Sequence, residues 1–167
     1  MICLMNKKVY RTLEYNKIID RLVEKAGSAP GKDLCRKLLP STDLQEIETW
    51  QMQTRDALTR LFGKGSISFG SNTDLGYAIK SLEIGSSLSC SELLKIAGML
   101  ENTARVKAYG RNEKEDVPDD SLDEMFRSLE PLTPLSSEIR RCILAEDEYA
   151  DDASPNLKQI RRQMLST

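Results

Sequence analysis

"STDLQEIETWQMQTRDALTRLFGKG" (Ser41–Gly65) carries the strongest helical signal in the chain. Thr42 and Gln45 stand at capping-box spacing, so the Thr42 hydroxyl can take the Gln45 amide while the Gln45 side chain reaches back. Leu44, Ile47, Trp50, Ala57, Leu58 and Leu61 then mark one broad face at helical period. Gly63 and Gly65 end it. A helix of this length sets the fold class, because an apolar helix face buries itself most simply against other helices.

The same signals recur on either side. A helix is predicted from about Leu13 to Ala26, with Leu13, Ile18, Ile19, Leu22 and Val23 as its stripe. Gly27 and Ser28 break it, and a second helix starts on Ser28 as cap with Pro30 in its first turn. Leu34, Leu38 and Leu39 give its apolar side, and Pro40 stops it. Beyond Gly65 the polar loop "SISFGSNT" is expected to be plugged onto the core by Ile67 and Phe69. A short helix over about Asp74–Glu83 follows, with Leu75, Ile79 and Leu82 inward. Ser89 and Glu92 form a second capping box, opening a long helix with Leu93, Ile96, Ala97, Leu100 and Ala104 on one side and an end near Gly110. Ser121 and Glu124 form a third box, before Leu122, Met125, Phe126 and Leu129. Leu135, Ile139, Cys142 and Ile143 mark another helix. Finally "SPNLKQIRRQMLST" (Ser154–Thr167) starts with Ser154 as cap, Pro155 in the first turn and Leu157, Ile160, Met164 and Leu165 in register. Strand-like alternation never persists beyond four or five residues, and no repeat of fixed period is present. The expected class is all-α, a multi-helix core with a short β-ribbon near 145–153; 111–120 and 145–153 are the expected loops.

Composition narrows the chemistry more than it reveals it. The 167 residues are 40% hydrophobic, 30% charged and only 5% aromatic, with a net charge of −2, so the whole chain does not advertise a polyanion partner. Residues 1–40 hold nine Lys or Arg against four acids. That basic start can face nucleic acid or form solvated helix faces. There is no histidine, which removes Ser-His-Asp and Cys-His mechanisms and the common zinc patterns. The four cysteines, Cys3, Cys35, Cys90 and Cys142, make no CxxC element. They read as reduced thiols of a cytoplasmic protein, with Cys35 and Cys142 as small core residues. No apolar run approaches the roughly 20 residues a bilayer span needs, so no membrane partner is expected.

Several local patterns invite a functional reading and fall short of one. "GSAPGKD" (Gly27–Asp33) has its first glycine too close to the Gly31–Lys32 pair for a phosphate loop, and Asp33 stands where Ser or Thr is needed, so it reads as an interhelical turn. The acidic runs 113–124 and 146–152 lack the glycine and late Glu of a calcium loop. A carboxylate pair drawn from Asp119, Asp120, Asp123 and Glu124 could do acid–base work. Tyr15, in "LEYNKI", and the lone Trp50 each allow a packing role or a partner contact. No catalytic, cofactor-binding or metal-ligating residue is assigned.

Taken together, "LEYNKIIDRLVEKAGSAPGKDLCRKLLPSTDLQEIE" (Leu13–Glu48), "DLGYAIKSLEIGSSLSCSELLKIAGML" (Asp74–Leu100), "EIRRCI" (Glu138–Ile143) and "DDASPNLKQIRRQM" (Asp151–Met164) resemble, in order, the N-terminal region of the second bacterial MutS paralogue family, MutS-two. The interval 111–134 matches least. "EDEYADDAS" (Glu146–Ser154) lacks the glycine of the family's acidic turn, and residues 1–4 precede Met5, where the family pattern starts. The resemblance implies 1–12 as an N-terminal leader, 13–153 as a helical core domain and 154–167 as the start of a lever helix. It implies a larger homodimeric, DNA-binding ATPase, using ATP and Mg, that restrains recombination, acts on stalled ribosomes and in many members carries a nuclease. The nucleotide-binding and nuclease motifs of the family lie outside 1–167, so none of their residues carries over. Segments 1–40 and 155–165 are the ones to test for DNA contact. The alternative from residue chemistry alone is a stand-alone helical protein-interaction adaptor.

Overall fold

The computed structural model describes residues 7–70, 75–111 and 118–165. Among these the order is α1 (Lys7–Thr12), α2 (Tyr15–Lys25), α3 (Ala29–Lys37), α4 (Leu44–Lys64), α5 (Gly76–Glu83), α6 (Cys90–Gly110), α7 (Asp123–Arg127), α8 (Thr133–Cys142), β1 (Ile143–Ala145), β2 (Glu148–Tyr149) and α9 (Pro155–Leu165). The class is all-α with one small antiparallel ribbon, as the sequence predicts. The chain divides into two compact units: Met1–Asn72 with Val106–Leu129, and Thr73–Arg105 with Glu130–Thr167. Helix α6 contributes its last turn to the first unit and the rest to the second. Helix α1 falls inside the segment expected as a leader, while residues 1–6 lie outside the described residues, as do 112–117 of the expected loop.

In the second unit the sequence pattern and the packing agree along α6, whereas Leu135 of α8, expected on its apolar face, is exposed. The Ser89–Glu92 box forms at the head of α6: the Glu92 carboxylate accepts from the Ser89 amide at 2.8 Å and the Ser89 hydroxyl accepts from the Glu92 amide at 3.3 Å. One side of α6 then packs on α8 and β1 in an apolar core of Cys90, Ala97, Ile139 and Ile143, with Leu93, Leu94, Ile96 and Cys142 partly buried against it. Helix α5 departs from expectation. Ile79 and Leu82, expected inward, are exposed, and Ala78 is the buried position.

The ribbon forms without a glycine in its turn, which is Glu146–Asp147. A two-residue hairpin turn of the favoured kind needs positive φ, which glycine or asparagine supplies. Among the described residues the only non-glycine positive φ values are at Glu14 and Leu132, so Glu146 and Asp147 do not adopt it. The mismatch is taken up in the strand instead: Ile143 pairs with Tyr149 and Ala145 with Glu148, leaving Leu144 as a bulge. Tyr149 is also tied to the head of α6, where the Cys90 thiol donates to its hydroxyl at 2.8 Å.

The first unit differs more from expectation. The cap of α4 is Asp43, whose carboxylate accepts from the Gln45 amide at 2.9 Å and the Glu46 amide at 3.2 Å. Asp43 displaces the expected Thr42–Gln45 box because one carboxylate oxygen satisfies two orphan amides and its charge suits the helix N-terminus. The broad apolar face of α4 is largely open to solvent: Leu44 is 68% and Leu58 51% exposed. Of that face only Ile47 is partly buried, and the other residues of α4 turned inward are polar: Gln53, Asp56 and Arg60, at i, i+3 and i+7. Helices α2 and α3 pack on each other and contain no fully buried residue.

Candidate functional site

The inward side of α4 builds the most organised polar site among the described residues. Arg60 is 6% exposed. Its Nε donates to Asp120 Oδ2 at 2.6 Å and its Nη2 to Asp120 Oδ1 at 2.7 Å, a bidentate pair. Nη2 also lies 3.0 Å from Asp123 Oδ1, and Nη1 donates to the Gly110 carbonyl at 2.9 Å. The guanidinium carbon sits 4.9 Å from the centroid of the Phe126 ring. One turn earlier on α4, Asp56 accepts from the Ser121 hydroxyl at 2.6 Å and the Ser121 amide at 3.1 Å. One turn later, Lys64 donates to the carbonyls of Tyr109 and Arg111 at 3.2 and 2.6 Å.

This arrangement answers two electrostatic problems at once. The C-terminus of α6 exposes carbonyls with no partner in their own helix, and it is the negative end of the helix dipole. Arg60 and Lys64 cover it from α4, and the Tyr109 hydroxyl returns a bond to the Gly65 carbonyl at 3.0 Å. The 118–129 segment then supplies the countercharge. Bonding to Arg60 holds the Asp120 carboxyl below its usual range, and the Asp120 pair pushes the Arg60 guanidinium further up. Both bonds from Ser121 lower Asp56 likewise.

The expected Ser121–Glu124 box does not form: the Ser121 amide and hydroxyl both donate to Asp56, and the N-cap of α7 is Leu122, with no side-chain bond. The turn before α7 is tied instead by Asp123 Oδ2, which accepts from the Asp120 amide at 2.7 Å, and by Asp120 Oδ1, which accepts from the Leu122 amide at 2.9 Å.

Of the four carboxylates weighed for acid–base work, Asp120 and Asp123 are therefore bound to Arg60, and Asp119 pairs with Arg127. Their chemistry is that of countercharges. In the second acidic run Asp151 pairs with Arg161, and Glu146 accepts from Ser91 at 3.1 Å. Arg141 chelates Glu138 and also donates to the Asp152 carbonyl at 3.1 Å, fastening the segment after the ribbon to α8. That chelation holds the Glu138 carboxyl down to about 2. A site-resolved NMR titration is expected to find its midpoint near that value, and a midpoint in the ordinary glutamate range would show the pair to be open in solution.

The other nominated residues take up structural places. Ser28 caps α3 by accepting from the Gly31 amide at 3.2 Å, so Gly27–Asp33 runs straight into a helix. The Tyr15 hydroxyl donates to the Leu38 carbonyl at 3.0 Å, and burial raises its pKa. Trp50 borders a groove of about 650 Å³ with Leu34, Leu38, Leu39 and Pro40. Ile67 and Phe69 line an apolar pocket of about 440 Å³, with Leu61, Tyr109, Met125 and Phe126. Cys90 is buried, Cys35 and Cys142 partly so, and Cys3 lies outside the described residues. No group of three or more His, Cys, Asp or Glu that could hold a metal occurs among the described residues, and no described helix is long and apolar enough to cross a membrane.

Arg60 is the residue that sequence reading missed. Its signal, a polar stripe of Gln53, Asp56 and Arg60 on the edge of an amphipathic helix, is the same one a solvated face gives. What distinguishes it is a partner 60 positions away.

Fold and site together define a helical structural segment organised by an ionic clasp. No family model matches the chain. Its relatives are nevertheless clear. It is 50% identical to the Endonuclease MutS2 of Lachnoclostridium phytofermentans over 98% of its length. It is 47% identical to that of Agathobacter rectalis over 96% and 41% identical to that of Lachnospira eligens over 95%. The resemblance to the second MutS paralogue family thus holds across nearly the whole chain. The chain spans about a fifth of the length of these relatives, 21, 20 and 19%.

Proposed function

We propose that the chain is the N-terminal core segment of a MutS2-type protein, and that its work is mechanical. Residues 13–153 form the helical body, with 1–12 as a leader, and α9 starts a lever from 154 onward. The whole protein is read as a homodimeric, DNA-binding ATPase of the cytoplasm that restrains recombination or acts on stalled ribosomes. The observation that carries this reading is the likeness to proteins named Endonuclease MutS2 over 95–98% of this chain. The residues present do not fit ATP or Mg, since they include neither a nucleotide loop nor, as described, a metal-binding group. Those groups belong to the rest of such a protein.

The surface supports a segment that works against something else. The apolar faces of α2, α3 and α4 lie open: Ile18, Leu34, Leu44 and Leu58 are all exposed. Rigid helices with such faces can pass a rotation between neighbours if two states exist.

Two measurements test the reading. Fluorescence anisotropy with duplex and branched DNA is expected to show weak or no binding by these 167 residues near physiological salt. Saturable binding that falls steeply with salt would instead make 1–40 or 155–165 a DNA site in its own right. Amide exchange over 155–165 addresses the adaptor reading. Leu157 is half-buried, whereas Ile160 and Met164 are exposed, so a lever root should fray in the isolated chain. Strong protection there would favour a self-contained adaptor.

A further inference from the structure

We propose that 118–129 is a strap, pinned across the apolar pocket by Arg60, and that it opens as one piece while the second unit stays folded. The two units are held by different forces. Among the described residues, the fully buried positions of the first unit are Arg60, Val106, Gly110 and Asp123. Those of the second include Cys90, Ala97, Ile139 and Ile143, an apolar cluster. The strap's deepest residue is an acid, Asp123 at 5% exposure, and its Met125 is 53% exposed.

Its attachments to α4 are directional: Asp120 and Asp123 to Arg60, and Ser121 to Asp56. Lys107 holds the far end by donating to the Leu129 carbonyl at 2.7 Å. The only helix in the strap, α7, has five residues, far below the length at which a helix stands alone. Apolar packing can loosen by degrees. A buried ion network cannot, since loss of one member leaves the others charged and unsolvated. The strap is therefore shut or released as a unit. Release uncovers Leu122 and Phe126 on one wall of the pocket and Leu61, Val106 and Tyr109 on the other.

Amide exchange read by mass spectrometry on the 167-residue chain tests this, with Asp120→Asn and Arg60→Lys as variants. Asp120→Asn keeps size and removes the charge, whereas Arg60→Lys keeps the charge and removes the bidentate fork. In the unmodified chain, 118–129 should exchange about tenfold or more faster than α8 and the 90–105 part of α6. Each variant should speed exchange of the strap by at least about another tenfold and leave α8 unchanged. Equal protection of strap and α8, a parallel loss in both, or a strap indifferent to both substitutions would each overturn the proposal.

Discussion

Replacing Arg60 with alanine is expected to lower the stability of the first unit by about 3–5 kcal/mol, the scale for removing one partner of a buried charge network. The side chains of Arg60 and Asp123 are 5% and 7% exposed, so the acid left behind cannot be rehydrated in place. The Gly110 carbonyl loses its donor as well. A whole domain is commonly stable by only about 5–15 kcal/mol, so this single change takes a large share. Urea denaturation followed by the fluorescence of Trp50, the sole tryptophan and a residue of the first unit, reads it directly. Arg127→Ala is the control. Its pair with Asp119 is well exposed on both sides, and exposed pairs contribute little, so no change in midpoint is expected.

The same clasp sets an acid limit. Asp120 has its folded pKa lowered by bonding to Arg60. Its contribution is therefore complete above the ordinary aspartate value of about 3.9 and is lost as pH falls through the lowered one. The stability difference between the parent chain and Asp120→Asn should be constant near neutrality and shrink only at strongly acid pH. A difference that vanished already near pH 6 would place the titration on another group.

How much of this was legible in the sequence depends on how far apart the cooperating residues lie. The Ser89–Glu92 box, the end of α6 at Gly110 and the ribbon after α8 rest on neighbours a few positions apart; the first two appear where the sequence places them, and the ribbon starts slightly earlier than 145–153, taking Ile143 from the expected helix into β1. Periodicity on α4 found a real apolar face but not its surroundings. The pattern says that Leu44 and Leu58 share a side of the helix and says nothing of what covers that side. The Thr42 and Ser121 boxes both lost to a carboxylate, in different ways: Asp43 takes the Gln45 amide that the Thr42 hydroxyl was expected to hold, and Asp56 takes the Ser121 amide that Glu124 was expected to hold. Arg60 was beyond reach, because its pairing joins α4 to a segment on the far side of α5 and α6 in the chain.

Two glycines of α6 should respond to alanine with opposite signs. A methyl group at Gly98 would meet only the Arg140 guanidinium, at 3.9 Å, which is ordinary contact. There the helix propensity of alanine decides, and Gly98→Ala should stabilise by roughly 0.5–1 kcal/mol. A methyl group at Gly110 would overlap Phe126 Cβ and Cγ. Those atoms are anchored to the backbone of α7, so a rotamer change cannot relieve the overlap and the strap itself has to move. Moving it pulls Asp123 and Asp120 away from Arg60 and Phe126 from beneath the guanidinium. Overpacking alone costs about 1–3 kcal/mol, and the disturbed clasp adds to it, so Gly110→Ala should cost at least about 3 kcal/mol. Both variants lie in one helix and differ from the parent by one methyl group. Thermal or urea unfolding of the pair therefore separates propensity from close approach. Equal effects at the two positions would mean that α7 is not seated against the end of α6 in solution.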